Sequence, residues 1–381
     1  MTVPPNLLGQ YGPWAASLAG DEPGRLSLRS GNFNDLDAWR ARARQRVEDL
    51  LAQPDLGPIT PATVHETTEH DGLYIEHLSW QLPYGPPTRA VFLKPAGAAG
   101  PLPGILGLHD HGGNKYFGLE KITHTGDQHP LMREHRDQCY GGKAWANEAA
   151  RRGYAVMVHD VFPFASRGVN FHELPDYIKH MVPHQDDRSR TYIDAYNRFA
   201  SEHESYIAKG LFCAGTTWPG VTTAEDQRAV DYLCARPDVD EQRTGCAGLS
   251  GGGLRTAHLA GLDDRIRCAC CVGLMSTWRD FLLNKSYTHT WMIYIPGLAR
   301  DLDYPEVYGL RVPRPTMVLN NLEDPLFTLP EMQRADRILR EVFEKAGAGD
   351  KYRCSFYPGP HKFDVQMQEE AFGWFDSWLR A

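Results

Sequence analysis

The stretch TGCAGLSGGGLRTAHLAG, Thr244 to Gly261, decides how this chain is read. A short apolar run meets a single serine, Ser250, then three glycines and a helix-like segment. Glycine inside a regular element is normally costly, so this density marks a backbone that must turn sharply. Gly248-Leu249-Ser250-Gly251-Gly252 is a G-x-S-x-G sequence between strand and helix, a setting that pushes a serine hydroxyl out above a sheet edge. Small residues are required two before and two after such a serine, and Gly248 and Gly252 meet that need. The helix starting near Gly253 aims its amide dipole at Ser250, favouring an oxyanion there. A dinucleotide-binding loop does not fit the same glycines. Its third small position is Thr256, and the next strand, RCACCVGL, ends without an acidic residue for a ribose.

Outward from this turn, short and nearly continuous apolar runs alternate with helical segments. GILGLHD, YAVMVHD, RTGCAGLS, IRCACCVGL, PTMVLNN and YRCSFYPG are the runs. GKAWANEAARRG, TTAEDQRAVDYLCARP, GLRTAHLAG and TLPEMQRADRILREVFEKAG are the helices, the last with Thr328, Pro330 and Glu331 placed as a capping box with proline at its start. Such runs read as buried parallel strands with helices on both faces. Before them, VHETTEHDGLYIEHLSWQL and TRAVFLKP alternate like antiparallel strands. Residues 1–60 read as a helical N-terminal extension, with Asn34 or Asp35 as a cap and Trp39, Ala43, Val47, Leu50 and Leu51 at helical spacing. Residues 61–381 then form an α/β catalytic domain, a mostly parallel doubly wound sheet with antiparallel N-terminal strands. Insertions at about 169–220 and 275–313 follow strand C-termini and are expected to form lid or pocket walls.

The composition is that of a globular protein: 381 residues, 42% hydrophobic and 23% charged. A net charge of −8 argues against nucleic acid or an anionic membrane surface as the main partner. The first residues lack the pattern of a secretory signal, and no run approaches the length of a membrane span. Eight scattered cysteines show no CxxC pair or disulfide spacing. Reduced thiols in a cytoplasmic protein are therefore expected, with a homo-oligomer left open.

A serine hydroxyl needs a base, and the base an orienting acid. In this type of sheet they follow in the order serine, acid, histidine. MVLNNLEDPLF puts Glu323 and Asp324 just past one strand, and YRCSFYPGPHKFD puts His361 just past the next. Asp324, at the loop start before Pro325, is the expected acid. Glu323 is the runner-up; neighbours on an extended segment point opposite ways, so only one of the two can serve. Gly251 supplies one oxyanion donor through its amide, and the loop GLHDHGGNKYFG supplies the second, from His111 or else Asp110. The HDH pair also invites a zinc reading, but none of His124, His129, His135 or His159 stands at a recognised ligand spacing, so no metal is expected. Trp218, Trp278, Arg279 and Trp291, with Arg167 and Asp110, are the candidate substrate contacts.

The GLSGG turn, the HDHGG loop, the EDPLF acid turn and the GPHKFD histidine turn together resemble the α/β-hydrolase superfamily. LHDHGGNKYFG and GYAVMVHDVFPFASRG are most similar to its acetyl-xylan-esterase-like and dienelactone-hydrolase-like bacterial branch. The resemblance covers roughly residues 85–380. It implies an α/β-hydrolase fold and a cofactor-free serine esterase acting on a small-molecule ester, short-acyl and acetylated carbohydrate among them. It also implies Ser250 as nucleophile, His361 as base and Asp324 as its partner. The N-terminal extension and the stretch from Phe171 to Gly215 exceed the simplest members. A prolyl-oligopeptidase-like peptidase, a lactone or carbon–carbon hydrolase, and a non-catalytic binding protein on the same fold are the alternatives.

Overall fold

The structure, a computed structural model, describes residues 5–20, 22–179, 186 and 188–380. Residues 180–185 and 187 of the first insertion, and 1–4 and 21 of the N-terminal segment, lie outside the described residues. Among the described residues nine strands form one sheet: β1 Thr63–His70, β2 Leu73–Trp80, β3 Thr88–Pro95, β4 Leu102–Leu108, β5 Ala155–His159, β6 Val239–Leu249, β7 Ile266–Val272, β8 Thr316–Asn321 and β9 Tyr352–Tyr357. Their order is β1-β2-β3-β5-β4-β6-β7-β8-β9. β1, β2, β3 and β5 pair antiparallel, and from β5 to β9 every pair is parallel.

The apolar runs become strands because each residue finds a covered face. Ile105, Ala247, Cys270 and Met317 point into one core; Leu106, Cys246, Cys271 and Val318 point into the other. This two-residue alternation into two cores leaves no polar face to break the runs. Edge strand β1, TVHETTEH, is mostly exposed and polar, which blunts the sheet against pairing with other chains.

Eleven α-helices among the described residues accompany the sheet: α1 Gly12–Leu18, α2 Leu36–Leu51, α3 Pro130–Tyr140, α4 Trp145–Arg151, α5 Asp176–Lys179, α6 Arg190–Cys213, α7 Trp218–Cys234, α8 Gly251–Leu262, α9 Tyr304–Gly309, α10 Leu329–Lys345 and α11 Val365–Leu379. Asp35 caps α2 by accepting from the Asp37 and Ala38 amides, and Trp39, Ala43, Val47 and Leu51 lie along its buried stripe. Those residues join the same core as α7, α8 and α10, so α2 packs into the core of the sheet. The expected capping box on α10 does not form. Thr328 is the N-cap residue, but its hydroxyl donates to Asp280 Oδ1 (2.8 Å), and the Glu331 carboxylate accepts from Thr277. A buried aspartate outcompetes the helix's own amides. All eight cysteines are free, and burial pushes the Cys246, Cys268, Cys270 and Cys271 thiols up, so they are packing groups and not nucleophiles. No helix among the described residues is long and apolar enough to cross a membrane.

Candidate active site

Strand order reverses between β4 and β6, the position where open α/β sheets place their sites. Ser250 lies there, at the end of β6, with φ 59° and ψ −117°, a conformation strained for a non-glycine residue. The turn is held by its amide, which donates to the Val272 carbonyl (2.9 Å), and by its carbonyl, which accepts from Leu254 (2.9 Å). A side chain on Gly248 or Gly252 would collide with the Leu108 carbonyl oxygen. The glycines of the opening stretch are therefore there to let two strand ends and a helix meet.

His361 and Asp324 arrive from the ends of β9 and β8. His361 Nδ1 and Asp324 Oδ2 are 2.6 Å apart, and Asp324 Oδ1 accepts from the Leu326 amide at 2.9 Å. Glu323 points away, accepting from the Gly359 amide in an exposed turn. Ser250 and His361 line one cavity of about 310 Å³. His361 Nε2 is buried and has no hydrogen-bond partner among the described residues, and the Ser250–His361 hydrogen bond is not made in this structure. Such bonds are commonly long before substrate binds.

The loop after β4 closes the opposite side of the cavity. A Cβ on Gly251 would stand 2.8 Å from the His111 amide nitrogen, so the two amides are neighbours. Neither N–H donates to another described residue. His111 Nε2 meets Glu204 Oε1 at 2.9 Å, while its Nδ1 accepts from the Gly113 amide at 3.0 Å, which selects the neutral Nε2–H tautomer. Burial and the nearby Lys115 charge lower the His111 pKa, in keeping with that tautomer. At Glu204 burial pulls upward, but His111 and Lys115 outweigh it and bring the carboxyl down to about 2. At Lys115 burial outweighs the pull of Glu204 and lowers the ammonium.

Asp110 lines the cavity but is almost wholly buried, tied to the Tyr140 hydroxyl and to His135 Nε2 (3.1 Å). Burial alone would raise its carboxyl; His135, Lys121 and these hydrogen bonds hold it well below the usual carboxylate range. It is a buttress of the loop, and no contact to a substrate is needed to explain it. Among the described residues no group of three or more His, Cys, Asp or Glu side chains is placed to hold a metal ion.

The aromatic and basic candidates lie elsewhere. Trp218 is 1% exposed at the start of α7, edge-on to Phe162 in the core. Arg167 is buried and paired with Glu225 at 2.7 Å. Trp278, Arg279 and Trp291 line a second, larger cavity of about 990 Å³ that shares no lining residue with the Ser250 cavity. Their position in an insertion after a strand end was a sound reason to suspect them, but the insertion has two sides. Its other side supplies the wall beside Ser250: Thr288, His289, Thr290, Met292 and Ile293. Burial lowers His289 to about 4, so this wall carries a neutral ring. The first insertion lines none of the Ser250 cavity among the described residues. Its helix α6 clamps the β4 loop instead, with Glu204 on His111 and Asn197 Oδ1 accepting from the Lys115 and Tyr116 amides (2.8 and 3.0 Å). Nothing in the sequence around Glu204 or Asn197 pointed to that, because the contact joins segments about 90 residues apart.

This sheet order, with a serine turn after β6 and acid and histidine turns after β8 and β9, is the α/β-hydrolase fold, as the resemblance implied. Residues 214–360 match the prolyl oligopeptidase family, a match that includes Ser250 and Asp324 and stops one residue before His361. A Bacillus subtilis (strain 168) protein described as "Putative hydrolase YtaP" is 26% identical over 344 residues, covering 89% of this chain and 100% of that one. Among solved structures, a "putative acetyl xylan esterase" from Bacteroides fragilis superposes with TM-score 0.68 at 16% identity, over 92% of this chain and 82% of the other. A glucuronoyl esterase from Solibacter usitatus does so with TM-score 0.63 at 16% identity, over 93% and 97%. The fold is thus one of serine-hydrolase type with esterases among its structural neighbours.

Proposed function

We propose that this protein is a carboxylic ester hydrolase in which Ser250 is the nucleophile, His361 the general base and Asp324 the group that orients it. The observation that carries the reading is His361, anchored through Nδ1 on a buried carboxylate while its other nitrogen, in the cavity wall shared with Ser250, has no partner among the described residues. Substrate binding brings the Ser250 hydroxyl onto Nε2. His361 takes its proton as the oxygen attacks the ester carbonyl, and Asp324 stabilises the imidazolium. The free amides of Gly251 and His111 receive the oxyanion. His361 then protonates the leaving alcohol, and water repeats the sequence on the acyl-enzyme.

The cavity favours a short acyl group: about 310 Å³ walled by Leu254, Leu274, Met292, Ile293 and Leu326. The name of the Bacteroides fragilis neighbour makes acetylated carbohydrate the first substrate class to test. The family match favours a second reading, amide hydrolysis of peptides. A p-nitrophenyl ester series from acetate to octanoate, acetylated xylo-oligosaccharides and a proline p-nitroanilide, each with Ser250→Ala as control, separates them. The expected outcome is short-ester preference, with kcat in the variant lower by about 10³-fold or more. Full esterase activity in Ser250→Ala would falsify the assignment.

A further inference from the structure

Lys121 ends a short 3-10 turn, Leu119–Lys121, and is fully buried. Its Nζ donates to the Asp110 carbonyl oxygen at 2.7 Å and to the His111 carbonyl oxygen at 2.9 Å. The Asp110 carboxylate lies 3.8 Å away, and the ammonium sits 4.9 Å from the centre of the Phe164 ring. Burying an ammonium is costly unless its bonds are needed. Here they fall on the two carbonyls flanking one amide, that of His111.

A peptide unit is planar and trans, so its C=O and N–H point in opposite directions. A cation fixed on the Asp110 carbonyl therefore turns the His111 N–H to the far side of that unit. Gly251 packs against the same nitrogen, and the N–H has no acceptor among the described residues. Charge on the carbonyl also polarises the unit and strengthens the N–H as a donor. We propose that Lys121 is the positioning residue of the oxyanion hole, its ammonium orienting and polarising the His111 amide through the Asp110 and His111 carbonyls. The inference rests on the reading of Ser250 as nucleophile given above.

The groups facing this ammonium are His109, whose Nδ1 also bonds the Asp110 carbonyl oxygen at 3.0 Å, Asp110, His111 and Lys115 on the loop, Cys139 on α3 and Asp160 after β5, with His135 and Tyr140 beyond Asp110. Burial, opposed by Asp110, brings Lys121 down to about 8. Above that pH the amine still donates but no longer carries charge, so activity drops to a lower plateau and not to zero.

The test is a pH profile of kcat and KM for p-nitrophenyl acetate from pH 6 to 10, normalised to serines titrated with a fluorophosphonate. Wild type, Lys121→Met, Lys121→Arg and Ser250→Ala are compared. The wild type is expected to step down near pH 8. Lys121→Arg should retain activity without the step. Lys121→Met should lose about 10²-fold in kcat per titrated serine, with KM changed less than about threefold, because the oxyanion forms only in the transition state. An unaltered kcat per titrated serine in Lys121→Met overturns the inference. So does a wild-type profile without the step, or the same step in Lys121→Arg, and these two readouts stand even if the methionine variant does not fold. Ser250→Ala with undiminished activity overturns instead the reading of the site on which the inference rests.

Discussion

Asp324 and Glu323 are adjacent carboxylates with different surroundings, and the difference can be measured. Asp324 is buried and holds His361 at 2.6 Å, whereas Glu323 accepts from an exposed amide. Asp324→Asn should lower kcat about 10⁴-fold by allowing the wrong imidazole tautomer, while Glu323→Gln should stay within about threefold of wild type. Equal losses in the two variants would contradict the assignment. Glu204 makes a separate prediction at this scale. Its folded pKa, about 2, lies below the ordinary carboxylate value, so its contribution is complete above that ordinary value and is lost as pH falls towards 2. Urea unfolding at pH 7 should find Glu204→Gln less stable by roughly 1–3 kcal/mol. At pH 3 the gap should narrow; a gap that widens on acidification refutes the linkage.

Among the elements, the segment between β7 and α9 is a partition. Met292 and Ile293 face the Ser250 cavity, and Trp291, Tyr294 and Ile295 face the larger one. Met292→Ala should widen the acyl pocket and raise the kcat/KM ratio of butyrate over acetate esters by about 10-fold, the scale of a few methylenes in an apolar pocket. Trp291→Ala should leave that ratio unchanged within about twofold. A shift of preference in the tryptophan variant alone would mean that the larger cavity, and not the smaller, receives the acyl group. Helix α6 shows a different use of an insertion: Asn197 and Glu204 hold the β4 loop from outside, so an expected pocket wall serves as a brace.

Over the whole molecule, helix α2 and the sheet share one core. Trp39 is fully buried, its indole N–H donates to the Leu26 carbonyl at 2.7 Å, and Leu302 and Val312 belong to the same core. Trp39→Ala should therefore cost about 3–5 kcal/mol in a single unfolding transition that also abolishes esterase activity. Two transitions, with activity following only the second, would show that residues 1–60 unfold independently.

The strands, their mostly parallel arrangement, the sharp turn at Ser250 and the placing of Asp324 and His361 just past successive strands are legible in the sequence. Each depends on local periodicity or on the steric demands of one turn, and residues close in sequence carry that information. Asp324 is separable from Glu323 on local grounds too, since it stands at the loop start before Pro325 and alternation on an extended segment lets only one of the two serve. Trp218, Trp278, Arg279 and Trp291 were misplaced because composition tells which residues suit a pocket but not which side of a loop they occupy. The brace of Glu204 and Asn197, the buried ammonium of Lys121 behind the His111 amide and the division into two cavities exist only once segments distant along the chain are packed together. Side-chain direction in an irregular loop is set by what packs against it, and that is decided in three dimensions.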